Sequence, residues 1–229
     1  TTQELRAAIK AFRASRKPAI AFADSFGEFG SGLRSYYLAT AFDEIWLQPG
    51  GSVGLVGLRS ENPFLRDVLE KIGVEPRFER REEYKTVFNN FIESGFTKAH
   101  KEELERLLGT LYRQVARDVA ASRGLAPEAA ERLLGGGPWL ASEAERERLV
   151  DHVGWRDEAL DRLRGGGAEV LSVLDYLERA GRPNRKGTRI ALVHGSGPIQ
   201  RGDPAGGLLS GDRIMSADEV AQAFRQAVA

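Results

Sequence analysis

No cysteine occurs in the 229 residues. That excludes disulfides, thiolate metal ligands and a cysteine nucleophile together, and it leaves the redox compartment open. Histidine is nearly as scarce. His100, His152 and His194 stand alone with no paired spacing, so no metal site is expected. Neither sign of charge is in excess, since Lys+Arg and Asp+Glu are both 33. A nucleic-acid partner, which calls for a basic excess, is therefore not expected. Long apolar runs are missing too: none approaches the ~20 residues that span a bilayer, and no signal-peptide pattern heads the chain. Nothing in the sequence asks for a cofactor. What is present is 41% hydrophobic and 29% charged, ordinary for a globular chain that can bury a core.

Strands alternate with helices along the chain, which implies an α/β fold. An amphipathic helix with Leu5, Ile9 and Phe12 on one face opens it. Ala19–Ala23 reads as a short buried strand, the glycine- and serine-rich stretch 24–35 as a loop, and Ser35–Phe42 as a short buried helix. Glu44–Leu47 and Ser52–Leu58 read as strands around the Pro49-Gly50-Gly51 turn. Asn62 and Pro63 are placed to start a helix that Gly73 stops, and Val74–Glu79 is a further strand candidate. The longest helix is predicted from Thr97 to Ser122, with Leu104, Leu107, Leu108, Leu111, Val115 and Val119 as its apolar stripe and Gly124 as its stop. Helices follow from Pro127, from Ser142 and over 157–164. Gly165-Gly166-Gly167 marks a boundary, 182–187 reads as linker, and Arg189–His194 starts a new buried strand. The expected organisation is a domain over 1–165, a linker over 166–188 and the beginning of a second domain over 189–229. The first residue is Thr1, and helical patterns run into both ends, so the chain reads as a piece of something longer.

Three places could carry chemistry. Ser25, Ser31 and Ser35 lie in the glycine-serine loop, where a tight turn can expose an Oγ beside backbone donors. The spacing of a nucleophile elbow is absent, and an ordinary polar surface loop is the plainer reading. Gly50-Gly51-Ser52-Val53-Gly54 could offer backbone donors to an anion, but it lacks the phosphate-loop lysine and also suits a tight corner between strands. Lys85 is the third. Seven of the 33 basic residues are lysine, so a lysine here stands out against arginine usage. Arginine stays charged, whereas lysine can serve as a base if its charged form is disfavoured by ~3 pKa units. On residue chemistry alone, a lysine in the run Arg80–Lys85 is a solvated surface group.

The run from Tyr36 to Gly57, with Tyr36-Tyr37, Ala39, Glu44-Ile45, Pro49 and Gly51-Ser52-Val53-Gly54, resembles the signal peptide peptidase (protease IV) family of bacterial serine proteases. The match continues in order through the helix 65–73, the segment 74–78 and Tyr84-Lys85 to Ala141–Ala144 and Leu149-Val150-Asp151, covering about residues 15–165. The resemblance implies a ClpP/crotonase-like spiral of short strands and helices, and a Ser/Lys dyad with Lys85 as general base. In single-repeat members the serine lies three residues before the first tyrosine of the pair; here that position is Leu33. The departure is similar to the long two-repeat members, in which the N-terminal repeat supplies the lysine and the C-terminal repeat the serine. On that reading the segment from Ile190 through Asp212 to Glu219 opens the second repeat, and the serine lies outside this chain. The chain alone is expected to be inactive.

The resemblance further implies peptide substrates (the remnants of cleaved signal peptides) and a homo-oligomer. It also implies attachment through a segment not in this chain to the bacterial cell membrane, on its extracytoplasmic, periplasmic side. The oxyanion hole is expected in the serine-bearing repeat rather than at Gly51 or Gly54, Ser52 is a candidate to orient Lys85, and Glu82 and Glu83 are expected on the surface. Two other readings stay open at this point: a non-catalytic crotonase-like scaffold or peptide-binding repeat, and an acyl-CoA enzyme on the same fold.

Overall fold

A computed structural model describes residues 1–28, 30–165, 167, 169–181, 191–195, 199–200 and 215–228. The chain divides into two compact units, Thr1–Val170 and Leu171–Ala229. In chain order the first holds α1 (Thr2–Arg13), β1 (Ile20–Ala23), α2 (Leu33–Ala39), β2 (Glu44–Leu47), β3 (Ser52–Val53), α3 (Arg66–Lys71) and a 3₁₀ turn (Thr86–Phe88). Then come α4 (Asn89–Ile92), α5 (Lys98–Arg123), α6 (Pro127–Gly135), β4 (Trp139–Leu140), α7 (Ala141–Arg146), β5 (His152–Val153) and α8 (Arg156–Arg164).

The first unit is α/β. Strands β1, β2 and β5 form a parallel sheet in that order, with Ile20 beside Glu44, Ala23 beside Leu47, and Trp46 beside His152. Parallel neighbours need a crossover, which α2 supplies between β1 and β2. A second, antiparallel pair joins β3 to β4 through Ser52 opposite Leu140. The core collects Tyr36, Ile45, Leu47, Val53, Leu55, Val119, Leu134 and Leu149, all fully buried. Burying each large aliphatic side chain contributes about 1.5–3 kcal/mol, which holds short elements that have little stability of their own.

Several expectations shift. The strand from Ser52 ends at Val53, because the next backbone groups are taken elsewhere: Gly137 N–H donates to Leu55 O and Gly57 N–H to Leu134 O, both 2.9 Å, and Gly57 turns at φ +77°. No strand forms over 74–79; Val74 N–H instead closes the end of α3 onto Leu69 O at 2.9 Å. Helix α3 starts at Arg66 rather than at Pro63 and buries none of its residues. In α1 the buried side chain is Arg6, while Leu5 and Phe12 are exposed. In α5 the predicted stripe reaches the core only at its C-terminal end, where Val119 is buried and Val115 packs against the core. Leu107 and Leu111 are 55% and 46% exposed, and the other buried residues are Ala99, His100, Ala116 and Ala120. Its ends lie close to expectation, with Thr97 Oγ1 accepting from His100 N–H at 3.2 Å and Gly124 left-handed at φ +62°.

The second unit holds α9 (Val173–Ala180), β6 (Ile199–Gln200), β7 (Met215–Ser216) and α10 (Ala217–Val228), with β6 and β7 parallel. Ser172 caps α9 through Asp175 N–H at 3.1 Å. The strand expected over 189–194 is not formed over its described part, 191–194. Residues 182–187, read as linker, and the glycine-rich stretch 201–212 lie outside the described residues.

Candidate active site

Lys85 sits on a strap that runs from Phe78 to Phe91 and lies along the start of α5. Apolar stacking closes the base of the strap. The rings of Phe78 and Phe88 are 4.4 Å apart and nearly parallel at 9°, with Phe91 5.8 Å from Phe78. Polar contacts reinforce it. Arg80 Nη1 donates to Asn89 Oδ1 at 2.6 Å and its Nη2 pairs with Glu93 at 3.3 Å, while fully buried Asn89 donates to Thr97 Oγ1 at 3.4 Å. A buried amide without partners would cost about 1–3 kcal/mol, so Asn89 fixes where the strap meets the helix.

At the tip, Tyr84 Oη donates to Glu102 Oε2 at 3.1 Å and Thr86 Oγ1 to Glu103 Oε2 at 2.8 Å. The bond to the Glu102 carboxylate, and then its charge, hold the Tyr84 hydroxyl above the usual phenol range. Between these two anchors Lys85 is exposed, and its ammonium makes no hydrogen bond or ion pair among the described residues. Glu82 and Glu83 are exposed as well. A hollow of about 370 Å³ beneath the strap is lined by Arg80, Glu83, Tyr84, Lys98 and Glu102, and Lys85 is not among its lining residues.

The serines occupy a different place. The loop after β1 and the turn around β3 are joined by Phe26 N–H to Ser52 O at 2.8 Å, Gly54 N–H to Phe26 O at 2.7 Å and Gly32 N–H to Gly54 O at 2.8 Å. So close an approach requires glycine: a Cβ on Gly32 would lie 2.0 Å from Phe26 O, and one on Gly51 2.1 Å from Asp24 O. Ser25 Oγ accepts from Ser52 N–H at 3.1 Å, Ser31 Oγ accepts from Leu33 N–H at 3.4 Å, and Ser35 Oγ donates to Gly32 O at 3.0 Å. Each of the three therefore shapes the loop. A cleft of about 690 Å³ opens between the two segments, lined by Gly27, Ser31, Ser52, Val56, Leu58 and Pro138 among others. Lys85 does not line it, and no hydrogen bond joins Lys85 to Ser25, Ser31, Ser35 or Ser52 among the described residues. Leu33, at the position discussed for a nucleophile, is 4% exposed and packs into the core as the first residue of α2.

The first unit also holds a polar frame that hydrophobic patterning does not reveal. Tyr36 Oη donates to Leu149 O at 2.8 Å, and burial pushes that hydroxyl far above its usual range. The Arg6 guanidinium lies 4.0 Å from the Tyr37 ring centre and donates to Tyr37 O and Thr40 Oγ1. Tyr37 Oη donates to Asp118 at 2.5 Å. Arg123 grips Asp151 with two bonds of 2.8 Å, and Asp151 also accepts from Ile45 N–H at 2.8 Å. Tyr36-Tyr37, Thr40, Ile45, Leu149 and Asp151 lie within the family pattern, whereas Arg6, Asp118 and Arg123 do not, and Arg6 lies on a helix face that reads as polar.

Residues 11–170 match Peptidase family S49. Two bacterial proteins called Protease 4 are each 27% identical to this chain: that of Haemophilus influenzae over 245 aligned residues and that of Salmonella typhi over 225. The alignments cover 96% and 91% of this chain but 37% and 35% of those proteins. The chloroplastic serine protease SPPA of Arabidopsis thaliana is 26% identical over 182 residues, 74% of this chain and 27% of its own length. The chain thus spans about a third of the length of these curated relatives. The match runs from the end of α1 to the boundary of the first unit and takes in both the glycine loops and the strap, and on it the chain belongs to peptidase family S49.

Proposed function

We propose that this chain is the lysine-bearing portion of a serine endopeptidase of Ser/Lys type, with Lys85 as general base. The observation that carries the reading is the presentation of Lys85: an exposed amine without partners among the described residues, held between two anchored neighbours. Neutral Lys85 Nζ takes the proton from a serine Oγ as that oxygen attacks the scissile carbonyl. The proton passes to the departing amine as the C–N bond breaks. Water, deprotonated in turn by Lys85 Nζ, then attacks the acyl ester; the ester C–O bond breaks and the proton returns from Nζ to the serine Oγ. A lysine works in this way near neutral pH only where burial disfavours its charge. Because Lys85 is exposed here, the covering surface, and with it the serine and the oxyanion donors, comes from outside the described residues.

On this reading the fold is a ClpP/crotonase-like spiral, and the substrates are cleaved signal peptides, whose apolar segments suit a cleft walled by Val56, Leu58, Pro138 and Leu140. The protein works as a homo-oligomer at the bacterial membrane, on its extracytoplasmic side, anchored by a segment outside this sequence; no helix among the described residues is long and apolar enough to cross a membrane. One observation favours a second reading, a non-catalytic peptide-binding scaffold: the position expected for a nucleophile holds the core residue Leu33. A fluorophosphonate probe on the full-length gene product separates the two. The protease reading expects labelling of one serine that disappears in Lys85→Ala, and the scaffold reading expects none in either.

A further inference from the structure

Lys85 has backbone angles φ −85° and ψ 72°, close to those at the apex of an inverse γ-turn, so the chain bends at the lysine. The residues on either side turn toward α5, and each ends on a carboxylate: Tyr84 on Glu102 and Thr86 on Glu103. Those carboxylates are consecutive on the helix and project about 100° apart, so they hold the strap at two separate points. With both neighbours directed at α5, the side chain between them is carried to the outside, where Lys85 stands exposed. The anchors have a second consequence. Glu102 and Glu103 are the acidic groups of α5 bonded to this tip, Glu82 and Glu83 are acidic groups of the strap beside it, and Arg80, Lys98 and Arg106 are cations around it. Each helix carboxylate is engaged with a hydroxyl rather than with the ammonium. An ion pair with either would favour the charged lysine and oppose its work as a base.

We propose that Tyr84 and Thr86, held by Glu102 and Glu103, are positioning residues that present Lys85 and keep the helix carboxylates from pairing with it. This rests on the reading of Lys85 as general base. It concerns the reaction through the lysine alone: none of the four residues is assigned contact with the substrate.

The test uses the full-length gene product and an apolar fluorogenic peptide, with Tyr84→Phe, Thr86→Val, their double variant, Thr86→Ser and Lys85→Ala. Misplacing a reacting group by about 1 Å can cost ~10²-fold in rate. The double variant is therefore expected to lose about 30–100-fold in kcat with KM within about 2-fold, and Thr86→Ser, which keeps the hydroxyl, to stay within about 2-fold of wild type. The acidic limb of the kcat–pH profile is expected to move to higher pH in the double variant as the released carboxylates reach the lysine. A merely structural role would not move that limb.

Hydrogen exchange supplies a readout that needs no activity: amides of residues 82–88 are expected to exchange faster in the double variant than in Thr86→Ser. Wild-type kcat and an unmoved limb in a folded Tyr84→Phe/Thr86→Val protein, with Lys85→Ala inactive, overturn the positioning role while the dyad stands. Turnover retained in Lys85→Ala overturns both. Should the double variant fail to fold, folded Thr86→Val decides, and wild-type kcat there equally overturns the proposal.

Discussion

Replacing Asp151 tests the polar frame of the first unit. Its carboxylate accepts two guanidinium bonds from Arg123 and one from Ile45 N–H, each 2.8 Å, and so ties the end of α5 to β2 beside β5. Arg123 is 9% exposed and has one other bond here, from Nε to Arg148 O at 2.8 Å. Asp151→Ala leaves that cation without its counter-charge and Ile45 N–H without an acceptor. Breaking such a pair by removing one partner costs about 3–5 kcal/mol. Asp151→Asn keeps a carbonyl oxygen for one donor, and its expected cost is about 2–3 kcal/mol.

Burial alone would raise the Asp151 pKa, but the bonds from Arg123 and Ile45 N–H, together with the Arg123 charge, outweigh it and hold the carboxyl below the ordinary carboxylate range. A depressed folded-state pKa contributes stability that is complete above the unfolded value of about 3.9 and is lost as pH falls through the folded one. The gap between wild type and Asp151→Asn is therefore expected to be constant from pH 7 to about 5 and to narrow below about 4. Trp46, Trp139 and Trp155 all lie in the first unit, so urea unfolding followed by tryptophan fluorescence reports on that unit. A loss under about 1 kcal/mol in Asp151→Ala, or a gap that stays constant down to pH 3, refutes the reasoning.

Two further substitutions probe the site's supports. Gly51→Ala drives a Cβ to within 2.1 Å of Asp24 O, a backbone atom, whereas Gly30→Ala meets nothing within 4 Å. The first is expected to cost about 2–3 kcal/mol and the second under about 0.5, and equal urea midpoints would show that the glycine contact is not tight. Arg6→Met keeps the aliphatic bulk but removes the donors to Tyr37 O and Thr40 Oγ1, for an expected loss of about 1–3 kcal/mol; wild-type stability would mean that the buried guanidinium contributes no net stabilisation.

The parts of this fold legible in the sequence are those with strong local signals. Glu44–Leu47 is a strand between a turn and a glycine pair, and α5 runs between a threonine cap and a left-handed glycine, so their bounds follow from chemistry within a few residues. Position and facing depended on partners far away in sequence. The stripe from Leu104 to Val119 predicts a core face, yet Leu107 and Leu111 are exposed and only its end, at Val115 and Val119, meets the core. Val74–Glu79 has strand composition but pairs with no strand among the described residues, and Val74 N–H closes α3 instead. The strap shows the same limit at the site. Lys85 stands out by the scarcity of lysine and takes its role from the family pattern, while the carboxylates that hold its neighbours lie 17 and 18 residues further along the chain and carry no local mark.

The most direct measurement of the role of Lys85 is peptidase turnover of the full-length gene product in detergent, with Lys85→Ala and Lys85→Arg checked by circular dichroism. A general base contributes about 10²–10⁴-fold, and arginine cannot replace it, since it does not give up its proton. Both folded variants are expected to lose turnover by at least ~10²-fold. Wild-type turnover in either folded variant contradicts the assignment of Lys85 as the base.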